Sequence, residues 1–178
     1  MKQLNMKQSV YLIGCRATGK SSVGKKLAQE LAYDYLDTDT VITESQGQSV
    51  AEIVKQSGWQ QFRKYEREAL RQTLGRQRCV VATGGGAITH NELWPKLKKE
   101  GSVIWLKASL EVLCSRIRSD QQTKGLRPSL TGKDVCQELE GVLAERLSLY
   151  EAAADYIIDT GLMDVIGAVS EIKQYLME

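Results

Sequence analysis

The chain has 178 residues, with 24 Lys plus Arg against 22 Asp plus Glu and a net charge of +2, a length that fits one compact domain around one core. So small an excess supplies no broad field for nucleic acid or a membrane surface, and the basic residues have to be read locally. Met1–Asn5 is polar and the run Val10–Ile13 is too short for a signal segment or a membrane span, so the expectation is a soluble, cytoplasmic protein and, without a heptad pattern, a monomer.

The first apolar run, Ser9–Ile13, reads as a strand, and Lys20–Leu31, with apolar residues every three or four positions, as a helix. Between them Gly14-Cys15-Arg16-Ala17-Thr18-Gly19-Lys20-Ser21 satisfies G-x-x-x-x-G-K-[ST]. A loop leaving a strand and entering a helix turns backbone N–H groups and the positive helix end toward one hollow, which suits phosphates. Gly14 and Gly19 allow the tight turn, Lys20 reaches the β and γ phosphates, and the Ser21 hydroxyl is a ligand for Mg²⁺. ATP and Mg²⁺ are therefore expected, with Gly14 through Ser22 as the nucleotide loop.

The next strand, Tyr33–Leu36, runs into Asp37-Thr38-Asp39. Two carboxylates one residue apart at a strand end suit metal or hydroxyl chemistry; equally, Asp37 or Thr38 caps a helix starting near Thr40. Helical patterns follow at Val50–Gln56 and Gln60–Leu74. Arg63 and Glu66 in the second lie at i and i+3, which lets them pair and fix the guanidinium, though alone this is an ordinary ion pair. Strand Cys79–Ala82 leads into Thr83-Gly84-Gly85-Gly86-Ala87, which is either a flexible loop or a place where a ligand lies against bare backbone. His90, the one histidine, reads as part of the entry to helix Asn91–Lys99 and not as a base. Trp59, Trp94 and Trp105 read as packing residues.

Strand Ser102–Leu106, helix Leu110–Ser119, the polar stretch Asp120–Gly125 before Arg127-Pro128, helix Lys133–Tyr150, strand Tyr156–Ile158 and helix Asp164–Leu176 complete the chain. The polar stretch reads as a lid. Strands alternating with helices predict an α/β fold, a three-layer sandwich with a five-stranded parallel sheet whose binding loops gather at the strands' carboxyl ends. Cys15, Cys79, Cys114 and Cys136 form no C-x-x-C pair, and the expectation is four separate buried thiols.

In this order, the phosphate loop, Asp37-Thr38-Asp39, Phe62-Arg63-x-x-Glu66, Gly84-Gly85-Gly86, Arg127-Pro128 and Glu145-Arg146-x-x-x-Tyr150 resemble the shikimate kinase family over nearly the whole chain. The resemblance implies a P-loop fold like that of nucleoside monophosphate kinases, with a substrate-binding segment at about 38–66 and a lid at about 119–131. The implied reaction is transfer of the ATP γ-phosphoryl group to the 3-hydroxyl of shikimate, a step toward chorismate and the aromatic amino acids. By the same resemblance Asp39 binds the substrate hydroxyls and accepts the proton, Asp37 organises Mg²⁺, Arg63 and Arg146 grip the carboxylate and Glu66 orients Arg63. Gly84, Gly85 and Gly86 line the pocket, Arg127 closes on the transferring group and Arg118 meets adenine. The chain departs from the family pattern at Ala17, often glycine, at Ser129, and at Thr160–Met163, which lacks the usual arginine or proline. Gluconate kinase, nucleoside monophosphate kinase and a non-catalytic nucleotide switch are the rival readings.

Overall fold

The strand Ser9–Ile13 (β1) is buried along its whole length, as expected of a strand that lies inside a parallel sheet with helices over both faces. The computed structural model describes residues 8–120 and 134–178 and adds strands β2 (Asp34–Asp37), β3 (Cys79–Ala82), β4 (Gly101–Lys107) and β5 (Tyr156–Asp159). All neighbours pair in parallel, in the order β2-β3-β1-β4-β5. The helices are α1 (Lys20–Leu31), α2 (Thr38–Gln46), α3 (Val50–Arg71), α4 (Trp94–Glu100), α5 (Leu110–Ser119), α6 (Val135–Ala153) and α7 (Val165–Met177). The expected α/β architecture is the one found. Arg127 and most of the expected lid lie outside the described residues.

Because successive strand side chains point to opposite faces, β1 and β4 divide the core in two. Tyr11, Ile13, Val103 and Trp105 pack with Trp94 and Leu97 of α4 and Tyr150 and Ala153 of α6. Val10, Leu12, Ile104 and Leu106 face the other way, onto Val23 and Leu27 of α1 and Ala168 and Ile172 of α7. A smaller apolar cluster of Ile42, Ile53, Phe62 and Ala69 ties α2 to α3. No helix among the described residues is long and apolar enough to cross a membrane.

Local signals set the element ends. β2 starts one residue later than expected because Ala32 turns left-handed (φ 52°) and the Tyr33 N–H bonds back to Ala28 O at 2.9 Å, a helix stop that uses up Tyr33. The two helices expected at Val50–Gln56 and Gln60–Leu74 run on as α3, bent where Gly58 adopts φ 76°. Its start is a capping box, with the Ser49 side chain and Glu52 each satisfying the other's backbone N–H. The helix expected from Asn91 begins only at Trp94, with Pro95 in its first turn, where a missing N–H costs nothing.

The expectation of four separate thiols is corrected. Cys114 on α5 and Cys136 on α6 are joined as a disulfide with Cα atoms 5.6 Å apart, while Cys15 and Cys79 are buried thiols. Packing of α5 on α6 around Leu113 and Leu139 makes the pair, and sequence spacing carries no trace of it.

Candidate active site

β1 ends at Ile13 and α1 begins at Lys20, so the chain reverses over Gly14 (φ 142°), Ala17 (φ 65°) and Gly19 (φ 90°). The Thr18 hydroxyl donates to Cys15 O at 2.9 Å. Lys20 folds its buried ammonium into the loop, donating to Gly14 O at 2.8 Å and Cys15 O at 2.7 Å. A fixed positive charge thus sits at the mouth of a helix N-terminus, the setting an anionic phosphate needs.

Ser21 and Asp37 meet beside this loop, the Ser21 hydroxyl donating to Asp37 Oδ2 at 3.0 Å. The Tyr35 hydroxyl donates to the same oxygen at 3.3 Å, and Asp37 Oδ1 accepts the Asp39 N–H at 3.0 Å. Burial and then the Asp37 charge push the Tyr35 phenol up, so it remains a donor. The cap expected of Asp37 on α2 is present, and the same carboxylate also faces Ser21 of the phosphate loop. A hydroxyl and a carboxylate side by side are hard oxygen donors that fit Mg²⁺, which is held by one or two protein oxygens together with phosphates. No group of three or more Asp, Glu, His or Cys that could hold a metal ion is present among the described residues.

A second cavity opens on the other side of the loop and is lined by Cys15, Arg16, Asp39, Trp59, Arg63, Glu66, Gly85, Gly86 and Arg146, with Ile117, Leu139 and Val142 as its apolar wall. Arg63 NH1 donates to Glu66 Oε2 at 2.6 Å, and its guanidinium lies 5.3 Å from the Trp59 ring and 5.7 Å from the Phe62 ring. Glu66 is only 1 % exposed. Burial alone would raise its carboxyl, but His90 and Arg63 hold it below the ordinary carboxylate range. The bare backbone at two of the three glycines makes room for the site's side chains, because a Cβ on Gly86 would overlap the Arg63 guanidinium and one on Gly84 would stand 2.6 Å from Asp39 Oδ1 and 2.7 Å from Glu66 Oε1. From α6, Arg146 NH1 and the Tyr150 hydroxyl both donate to Gly85 O, at 2.9 and 3.1 Å; residues four apart share a helix face.

The phosphate hollow is lined by Ala17, Gly19, Lys20, Ser21, Ser22 and Asp37. Its walls share Arg16, Asp39 and Ile117 with the second cavity, so Asp39 stands at the border of the two. Of the residues singled out in the sequence, Arg118 is exposed and is not among the residues lining either cavity. Its neighbour Arg116 instead donates to Ala17 O at 3.1 Å, to Thr160 Oγ1 at 3.1 Å and to Thr160 O at 2.5 Å. It ties the phosphate loop to the turn after β5. Trp59, read from the sequence as packing, lines the cavity, its i, i+4 spacing to Arg63 being the available signal, and Thr38, read as a candidate cap, instead accepts the Gly84 N–H on its hydroxyl at 2.8 Å.

A family model described as Shikimate kinase matches residues 16–177. The chain is 43 % identical over 157 residues to "Shikimate kinase 2" of Photorhabdus laumondii subsp. laumondii, covering 88 % of this chain and 89 % of the relative. It is 41 % identical over 171 residues to the protein of the same name from Yersinia pestis, covering 96 % and 97 %. The solved structure of shikimate kinase from Acinetobacter baumannii in complex with shikimate superposes with a TM-score of 0.87 at 32 % identity, over 95 % of this chain and 92 % of that one.

Proposed function

The chain belongs to the shikimate kinase family and phosphorylates shikimate with ATP; we propose that the γ-phosphoryl group goes to the 3-hydroxyl, in a Mg²⁺-dependent reaction on the route to the aromatic amino acids. The observation that carries this is the position of Asp39, on the wall shared by the phosphate hollow and a cavity lined by Arg16, Arg63 and Arg146. Such an arrangement suits an acceptor with a carboxylate at one end and hydroxyls at the other. A planar guanidinium matches a carboxylate through two parallel bonds, so Arg63 and Arg146 grip the acid end. Glu66, Trp59 and the glycine backbone hold Arg63 in place for that contact.

With the acid end fixed, a ring hydroxyl comes to Asp39, which accepts its hydrogen bond and takes the proton as the oxygen attacks. Phosphoryl transfer needs mainly alignment and relief of charge on the equatorial oxygens. Lys20 exchanges its carbonyl contacts for phosphate oxygens, and Ser21 and Asp37 would hold the ion. Bound Mg²⁺ supplies charge neutralisation on the phosphates. Arg127 is assigned to the transferring group and Arg118 to adenine on the family resemblance, and the bond from Arg116 to Ala17 O of the phosphate loop supports a role for Arg116 beside the nucleotide as well.

A coupled assay of ADP release with Mg²⁺ and ATP over shikimate, gluconate and nucleoside monophosphates tests the reading. Turnover is expected with shikimate alone. Turnover with gluconate and none with shikimate defeats it, and a strict requirement for added Mg²⁺ after chelation tests the ion.

A further inference from the structure

We propose that His90 is a positioning residue for substrate binding: its protonated imidazole takes up part of the charge of Glu66 and leaves Arg63 more positive toward the acceptor's carboxylate. This rests on the reading of Arg63 as the carboxylate clamp. The 3-10 turn Ala87–Thr89 follows directly on the triple glycine, and it folds His90 back onto α3. There His90 Nε2 lies 3.3 Å from Glu66 Oε2, the same oxygen that accepts Arg63 NH1 at 2.6 Å. The imidazole side chain is 10 % exposed and the carboxylate 1 %. The His90 contact is longer and less well aimed than the arginine bond, and Nε2 has no hydrogen-bond partner among the described residues. It therefore acts as an ion pair that exists when the ring is charged, and otherwise as a weak polar contact.

The charge count decides the effect. With His90 neutral, the Arg63–Glu66 pair has no net charge, and the substrate carboxylate meets a guanidinium already matched by a buried anion. With His90 protonated the trio carries one net positive charge in a largely buried setting, where such a charge is weakly screened. Histidine is the side chain whose charge ordinarily changes between about pH 5 and 8. The other titratable or charged groups near it are Asp39, whose Oδ1 borders Gly84 together with Glu66 Oε1, Arg67 and Glu92, which pair with each other at 2.6 Å, and Arg146 with the uncharged Tyr150 hydroxyl, which reach the same glycine loop at Gly85. None of these changes charge over that interval in its ordinary range. Binding of the acceptor anion should then favour the protonated ring and take up protons.

The test is the pH profile of kcat and of KM for shikimate at saturating Mg²⁺ and ATP, for the wild type and for His90→Gln, which keeps a neutral donor near the position of Nε2. The wild-type KM is expected to rise about fivefold between pH 6 and 8.5, the order of one charge–charge interaction in a partly wet site. The His90→Gln KM should stay flat, with the two kcat profiles parallel. Superimposed KM profiles overturn the role of His90 while leaving the shikimate reading intact. No turnover of shikimate by the wild type at any pH overturns both. If His90→Gln does not fold, calorimetry of shikimate binding to the wild type, in two buffers of different ionisation enthalpy near neutral pH, decides the matter: proton uptake supports the proposal and its absence overturns it.

Discussion

A Cβ on Gly86 would fall inside the guanidinium of Arg63, so the triple glycine and the arginine of α3 form one fitted unit. Gly86→Ala should push Arg63 off the cavity wall without touching the phosphate loop. Loss of a charge-assisted contact costs about 1.5–3 kcal/mol, which predicts a rise in the shikimate KM of about ten- to a hundredfold, with the ATP KM nearly unchanged. Steady-state kinetics with each substrate varied in turn measures both. An unchanged shikimate KM would remove Arg63 from the clamp.

The Glu66 carboxylate gives a pH-dependent stability with a definite sign. Burial raises its pKa, but His90 and Arg63 more than offset this, and the net shift is downward. A folded value below the unfolded one means that its stabilisation is complete above the unfolded value, about 4.3, and is lost as pH falls through the folded value. Breaking a buried pair costs about 3–5 kcal/mol; with the Arg63 side chain 25 % exposed, about 2 kcal/mol is the better expectation for Glu66→Gln at pH 7. Urea unfolding at pH 7 and near pH 3 should show the gap between wild type and variant narrowing in acid. A gap independent of pH would mean that the loss comes from packing.

The architecture was legible because β1, β3 and β4 are nearly continuous apolar runs and the helices between them are strongly periodic. Within the site, the groups on one short segment were also legible. Gly14 through Ser21 makes its hollow from neighbouring residues, and Asp37 reaches Ser21 directly from the end of β2. Contacts that depend on two helices or a loop folding back left no local trace. Arg116 and Arg118 look equivalent along α5, and the bond from Arg116 to the turn after β5, 44 residues away, has no signal in the sequence. His90 has no periodicity that points to Glu66, and the Cys114–Cys136 bond depends on the packing angle of α5 and α6. The family resemblance supplied the acceptor; composition and spacing alone stopped at a nucleotide.

Arg116 gives a direct contrast with the arginine chosen from sequence. Its guanidinium holds Ala17 O and both oxygens of Thr160, so Arg116→Ala frees the phosphate loop from the turn after β5. Hydrogen bonds from a charged group contribute about 1.5–3 kcal/mol, and the ATP KM should rise about tenfold or more with the shikimate KM little changed. Arg118→Ala, at an exposed position, should change neither by more than about twofold. The reverse ranking of the two variants would make Arg118 the nucleotide residue.

Ser21 and Asp37 share one hydrogen bond at 3.0 Å, and their oxygens are the donors proposed for Mg²⁺. Asp37→Asn keeps a carbonyl oxygen able to cap α2 but removes the charge. The expected result is a higher Mg²⁺ concentration for half-maximal rate, by about tenfold, with thermal stability lowered by less than about 1 kcal/mol. A metal titration indistinguishable from wild type would leave Asp37 as a helix cap only.

Asp39 separates alignment from nucleotide binding. It lies on the wall common to both cavities, and Gly84 leaves room for its Oδ1 on the acceptor side. Asp39→Asn preserves shape and one acceptor oxygen but cannot take a proton. General-base assistance contributes about 10²–10⁴-fold, so kcat should fall within that range while ATP affinity, measured by equilibrium titration, stays near wild type. Lys20→Ala should do the opposite in kind, because its ammonium sits within the loop carbonyls Gly14 O and Cys15 O and its loss weakens the nucleotide and the rate together. A tenfold or smaller drop in kcat for Asp39→Asn would reduce the carboxylate to a positioning contact, since phosphoryl transfer through a loose transition state asks little of a base until late in the reaction.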